Sequence, residues 1–307
     1  MAPAADSFGG TTMGTSHRVI RFGCVAASVI LVLTGCAAAE ESGPPPTTEA
    51  TPSASPTPEP APELTAADIA AWAAGTEWSY APDGLGTPHT VALSGGVGTD
   101  DLGRPYTLGE AVGADLDGDE VMDAAIPITM VDGNAVHELW YIWRGLGADS
   151  EPVAEQVIYP ISRTTRCGDV TRAVTAVDGG LQLDVVLWMP HTDAARSCAE
   201  GGSGVLTRVI ELTEIDGQFY PVQMAPVIAW GGVCPPTEWL DGSPEMGLAT
   251  RVAPPASAPA ATDPTRDVAV FGLREAPLLT SGGGSFFGFI QDYVETDPVR
   301  MHCAFAD

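Results

Sequence analysis

Lysine is missing from this chain of 307 residues. All 13 basic residues are arginines, set against 40 Asp and Glu, for a formal net charge of −27. Without lysine there is no Schiff-base nucleophile and no phosphate-loop amine. So few cations also exclude nucleic acid as a partner, because phosphate binding depends on basic residues displacing counterions. Anionic lipid headgroups would repel such a surface, so any hold on a membrane needs another source. Catalytic signatures are missing as well. H-E-x-x-H, G-x-S-x-G, the phosphate loop and G-x-G-x-x-G do not occur, and "GGSG" at Gly201 and "SGGGS" at Ser281 read as turns.

What is present begins with a short apolar run, Phe22 to Leu33, behind Arg18 and Arg21. It is too short to span a bilayer comfortably and reads better as a signal peptide than as the alternative, a one-pass anchor with an incidental cysteine. It ends Leu33-Thr34-Gly35-Cys36, which resembles the bacterial lipobox. That resemblance implies removal of residues 1–35, acylation of Cys36 and attachment to the cell membrane through the lipid, on its outer side. Cys24 lies inside the run and would leave with the leader. Residues 36–63 follow, rich in Pro, Thr, Ser, Ala and Glu. Such a composition buries no core and is held extended by its prolines, so it reads as a disordered tether.

Residues 64–307 read as a single globular domain, β-rich α+β, with a short N-terminal helix and an antiparallel sheet of successive hairpins. Thr65 and Asp68 have capping-box spacing, Ile69, Trp72 and Ala73 share a helical face, and Gly75 is a natural stop. Three apolar stretches are then split by Asp132-Gly133, Asp178-Gly179 and Asp216-Gly217. Each pair suits a tight hairpin turn, since glycine accepts positive φ cheaply. Leu181, Leu183, Val185 and Leu187 alternate onto one strand face. A Pro/Ala-rich segment at about 251–266 is expected to be a flexible surface loop.

Four cysteines remain after Cys24 and Cys36: Cys167, Cys198, Cys234 and Cys303. An even number in an exported protein implies disulfides, and four cysteines allow three connectivities. The second hairpin favours Cys167–Cys198, which would staple its ends. That leaves Cys234–Cys303 to tie the C-terminus back across the Pro/Ala segment. Each would stabilise the fold by about 2–4 kcal/mol. The competing four-cysteine zinc site lacks its usual close pairs.

The stretch "GADLDGDEVMDAAIPI" carries the candidate site. Asp115, Asp117, Asp119 and Asp123 fall at loop positions one, three, five and nine, and the Val121 carbonyl stands at the seventh. A hard cation such as calcium takes six to eight oxygens from a loop of this kind. The alternative is an acidic turn with no metal. The spacing resembles the DxDGDGxxD loop of FG-GAP and VCBS-type repeats, which implies those four aspartates as side-chain ligands. Two departures are plain. Glu120 replaces the usual glycine at the sixth position, and Ile126 stands where an EF-hand has glutamate.

The order of Asp loop, apolar strand, cysteine-bracketed strand and "VIELTEIDGQFYPV" is similar to actinobacterial envelope lipoproteins of the LppP/LprE type, over roughly 112–222. That likeness implies a location and a fold but no reaction. The four histidines beyond the leader, His89, His137, His191 and His302, are solitary, and Asp100-Asp101 reads as a solvated loop. Trp140, Tyr141 and Trp143, at strand spacing, read as core rather than a sugar platform. The expectation is a lipid-anchored envelope protein that binds a partner or ligand or supports the surface, with calcium as a structural cofactor. The rival is an envelope hydrolase whose residues meet only in space.

Overall fold

The capping pair at Thr65 starts the first element. In the computed structural model the Thr65 hydroxyl accepts the Asp68 amide at 3.2 Å and Asp68 accepts the Thr65 amide at 3.0 Å. Helix α1, Ala66–Ala73, follows. Ile69 and Ala73 are buried, and half-buried Trp72 packs on the same core. At the far end the Trp78 indole donates to the Ala73 carbonyl at 2.8 Å, satisfying a group that the helix leaves unpaired. The structure describes residues 63–81, 88–234, 245–246, 249–261, 268–275, 286–292 and 302–306, all within one compact unit, Glu59–Asp307. The leader, Cys36 and the tether through residue 62 lie outside the described residues.

The first sheet is antiparallel and has nine strands. They are β1 (Glu77–Tyr80), β2 (His89–Ser94), β3 (Val97–Thr99), β4 (Pro105–Leu108), β5 (Val112–Ala114), β6 (Asp123–Asp132), β7 (Ala135–Gly145), β8 (Ala154–Gln156) and β9 (Ser162–Thr165). The order is β1-β2-β3-β4-β6-β7-β8, with β5 on β6 and β9 on β7. Its two ends meet. Gln156 accepts the Ser79 amide at 2.7 Å and donates to the Ser79 carbonyl at 2.9 Å, so one side chain does the work of a backbone pair. The sheet thereby curls into a barrel. Trp78, Tyr80, Tyr106, Ile126, Ile128, Leu139 and Tyr141 fill it, all fully buried. Trp143 is buried there too, while Trp140 packs on the other side of β7, so the three aromatics serve the two cores.

The second sheet runs β10 (Val170–Val177), β11 (Gly180–Leu187), β12 (Gly204–Ile215), β13 (Gln218–Ala225) and β14 (Ala229–Trp230), with the short helix α2 (Pro190–Asp193) before β12. The third sheet contains β15 (Glu245–Met246), β16 (Thr250–Arg251), β17 (Val268–Glu275), β18 (Phe286–Asp292) and β19 (His302–Ala306). All three Asp-Gly pairs lie at hairpin turns, between β6 and β7, β10 and β11, and β12 and β13. Only the last has both central residues at positive φ, Asp216 at 53° and Gly217 at 79°, as a type I′ turn requires. Leu181, Leu183 and Val185 are buried on one face of β11, and Leu187 packs against the same cluster.

The start of β6 explains why "AAIPI", the run after Asp123, is apolar throughout rather than alternating. Ala124, Ile126 and Ile128 face the barrel, whereas Ala125 faces the main core under the second sheet. A strand covered on both faces reads as a continuous apolar run.

Where the three sheets meet, a charge is buried. Arg208 of β12 is 5% exposed. It donates to the carbonyls of Ile161 and Gly232 and to the Gln223 side chain at 3.4 Å. Gln223 in turn bonds the His302 Nδ1 at 2.7 Å. Burial pushes the guanidinium pKa down to about 10, with Asp169 pulling it back up. The group keeps its charge at neutral pH.

The cysteines pair as Cys167–Cys198 and Cys234–Cys303. The Pro/Ala segment departs from its expectation as a surface loop. Val252, Ala253, Ala258 and Ala261 are buried in the main core, and Arg251 bridges to Ala260. Small side chains let this backbone lie close to Phe305 and the second sheet, and its prolines reduce the entropy of holding it there. Residues 262–266 lie outside the described residues.

Arg208→Met should cost about 3 kcal/mol in urea unfolding, because two buried carbonyls and an amide oxygen lose their donor. Unchanged stability would show that those acceptors find other partners.

Candidate functional site

The acidic loop joins β5 to β6. Alternation sends Leu116 into the main core and leaves Asp115 and Asp117 on the loop side. The loop folds on its own carboxylates. Asp115 accepts the amides of Gly118 at 2.8 Å and Glu120 at 3.1 Å, Asp117 accepts that of Asp119 at 3.2 Å, and Asp119 accepts that of Val121 at 2.8 Å. Glu120, at the position where glycine is usual, has φ 67°. An L residue there costs about 1 kcal/mol.

Asp123, wholly buried, closes the loop at its base. It accepts the Leu116 amide at 2.9 Å and the Gly145 amide at 2.8 Å. Burial pushes its carboxyl up to about 7. The two amides resist the rise, and the charges of Asp117 and Asp119 add to it. Carboxylate oxygens of Asp115, Asp117 and Asp123 lie within 4.8 Å of one another and could hold a metal ion. Each oxygen that accepts one amide still has a lone pair to offer, so the donor set suits a hard cation.

Asp119 stands outside that group of three. It faces Arg144, which the sequence reading did not connect to the loop. Arg144 lies 2.6 Å from Asp117, 3.5 Å from Asp119 and 3.1 Å from Glu155. Its guanidinium also sits 4.1 Å from the centroid of the Phe219 ring on β13. One flank of the acidic loop is thus neutralised from the protein, and the flank formed by Asp115 and Asp123 is not. No spacing rule links residue 144 to residue 117. The only available cue was an arginine on the strand paired with β6.

A second polar cluster lies where the β3–β4 turn and β4 meet the start of β2, and it corrects the reading of Asp100 as solvated. Its side chain is 5% exposed and accepts from Arg104 Nε at 2.7 Å, the Tyr106 hydroxyl at 3.0 Å, and the amides of Leu102 and Arg104. Burial raises the Asp100 carboxyl, but these bonds outweigh it and hold the pKa at about 2. His89 Nε2 lies 2.8 Å from the Tyr106 hydroxyl. Burial and then Arg104 lower the His89 pKa, against the pull of Asp100, so its imidazole is neutral. Tyr106 is raised by burial and by its bond to Asp100, so it keeps its proton. This set of donors and acceptors ties the β3–β4 turn to the barrel, and its one ionised carboxylate, Asp100, is engaged by Arg104, the Tyr106 hydroxyl and two amides. His302 is buried against Gln223, His137 lies on β7, and the His191 side chain lies outside the described residues.

No protein-family model, curated protein or solved structure matches the chain.

Asp100 has its pKa depressed from 3.8 to about 2 on folding. Its contribution to stability is therefore present above about pH 4 and lost as pH falls toward 2. Asp100→Asn should be less stable than the wild type at pH 7, with the gap closing by pH 2. A gap independent of pH would contradict the assigned carboxylate network.

Proposed function

We propose that the chain is an exported, lipid-anchored envelope lipoprotein whose domain has a binding or structural role steadied by calcium. The observation that carries this reading is the pairing of all four cysteines downstream of Cys36. Disulfides form and persist in oxidising compartments, which supports export. The lipobox resemblance at Leu33–Cys36 supplies the anchor, and the 36–63 segment a spacer. The acidic surface makes a lipid necessary, because anionic headgroups repel it.

Calcium would be held by Asp115, Asp117 and Asp123. When bound it supplies positive charge to a buried carboxylate that Arg144 does not reach. The Leu116 carbonyl accepts the Leu212 amide at 2.8 Å, and Arg144 reaches Phe219. The loop therefore spans the first and second sheets, and an ion there would brace their joint. A partner or ligand on the cell surface would meet a domain stiffened in this way.

Two measurements test the reading. Cys36→Ala should move the protein from the membrane fraction to the medium, and unchanged fractionation would refute acylation at that position. Calcium at about 100 times its dissociation constant should raise Tm by roughly 5–10 °C. Asp117→Asn should remove most of that rise. A wild type indifferent to millimolar calcium would refute the cation.

A further inference from the structure

The two disulfides stand in opposite surroundings. Cys303 is fully buried in the main core beside Phe305, and half-buried Cys234 packs against the same cluster. Cys167 and Cys198 are both exposed. Cys167 also has φ 60°, one of three non-glycine residues at positive φ among the described residues. A left-handed backbone costs an L residue about 1 kcal/mol, and opening the bond frees Cys167 to leave it.

The segment that Cys198 belongs to has its own anchor. The wholly buried Asp193 accepts the Met189 amide and the Ser203 amide, each at 2.8 Å, from the two ends of the segment. On the other side, the Thr165 amide donates to the Asp169 carbonyl at 3.0 Å, closing the turn that holds Cys167. Both cysteine-bearing turns are therefore held by hydrogen bonds that do not pass through sulfur. The Cys167–Cys198 bond opens without undocking its surroundings, whereas a reagent reaches Cys303 only by disturbing the core.

We propose that Cys167–Cys198 is a thiol–disulfide exchange site whose substrate class is a thiolate, while Cys234–Cys303 is a fixed structural bond. The incoming thiolate attacks the sulfur of one of these exposed cysteines. A new S–S bond forms as the Cys167–Cys198 bond breaks, and the displaced cysteine leaves as a thiolate that takes a proton from water. With a dithiol reductant, its second thiolate then attacks the mixed disulfide and releases the other cysteine. The dithiol departs oxidised, having passed two electrons to the protein. Exposure of the cysteines is the feature that makes a disulfide labile, and burial is the feature that protects one.

The test is differential alkylation of the native full chain across a dithiothreitol series, read by peptide mass mapping. Cys167 and Cys198 should become labelled at a dithiothreitol concentration at least about tenfold below that which labels Cys234 and Cys303. Under a monothiol such as 2-mercaptoethanol, a mixed-disulfide adduct should appear on the first pair alone. The double variant Cys167→Ser with Cys198→Ser should lose the early labelling and keep the second pair intact. Should that variant fail to fold, the wild-type series alone decides the matter. Labelling of both pairs in step, or of neither before unfolding, would overturn the proposal.

Discussion

The buried guanidinium of Arg208 is the constraint around which the three sheets are arranged. A charge moved from water into a core costs several kcal/mol unless the protein solvates it again. Here the solvation comes from neutral groups on separate parts of the fold: the Ile161 carbonyl just before β9, the Gly232 carbonyl just after β14, and Gln223 on β13, itself bonded to His302 on β19. If any of these parts shifts, a donor or an acceptor is orphaned in a dry interior. One side chain thus makes the position of each sheet a condition for the others. The Cys234–Cys303 bond acts at the same junction, tying the residue after Val233 to the strand that carries His302.

The β6–β7 hairpin is the second organising element. Its residues supply both cores, so it is the wall that the barrel and the second sheet share. The acidic loop is built onto the foot of this wall. Asp123 opens β6 and fastens Gly145 at the end of β7, while Leu116 and Arg144 reach across to β12 and β13. The loop therefore lies on a load path between two sheets rather than on a free surface. An ion held there would act on the joint between the two sheets.

The local features were legible in the sequence. The capping box at Thr65, the Asp-Gly turns and the alternation in β11 depend on residues a few positions apart, and each has a fixed spacing. The cysteine pairing followed from one hairpin. The decisive long-range contacts had no such spacing. Gln156 closes the barrel on Ser79 across 77 residues, Arg208 reaches Ile161 across 47, and Gln223 meets His302 across 79. Within the acidic loop the positions of Asp115, Asp117 and Asp123 could be read, but the turn of Asp119 toward Arg144 could not, because it depends on a neighbouring strand. The Pro/Ala segment was misread because composition describes the backbone's freedom and not what it packs against. Asp100 was misread for the same reason, since its partners are folded over it by the β3–β4 turn.

Export, acylation and oxidation converge on one observable, the intact mass of the native protein extracted from membranes with detergent. The account predicts a chain that begins at Cys36, carries fatty acyl groups and is four hydrogens lighter than its fully reduced form, as two disulfides require. A mass that includes the leader, with four free thiols and no acyl chains, would contradict it.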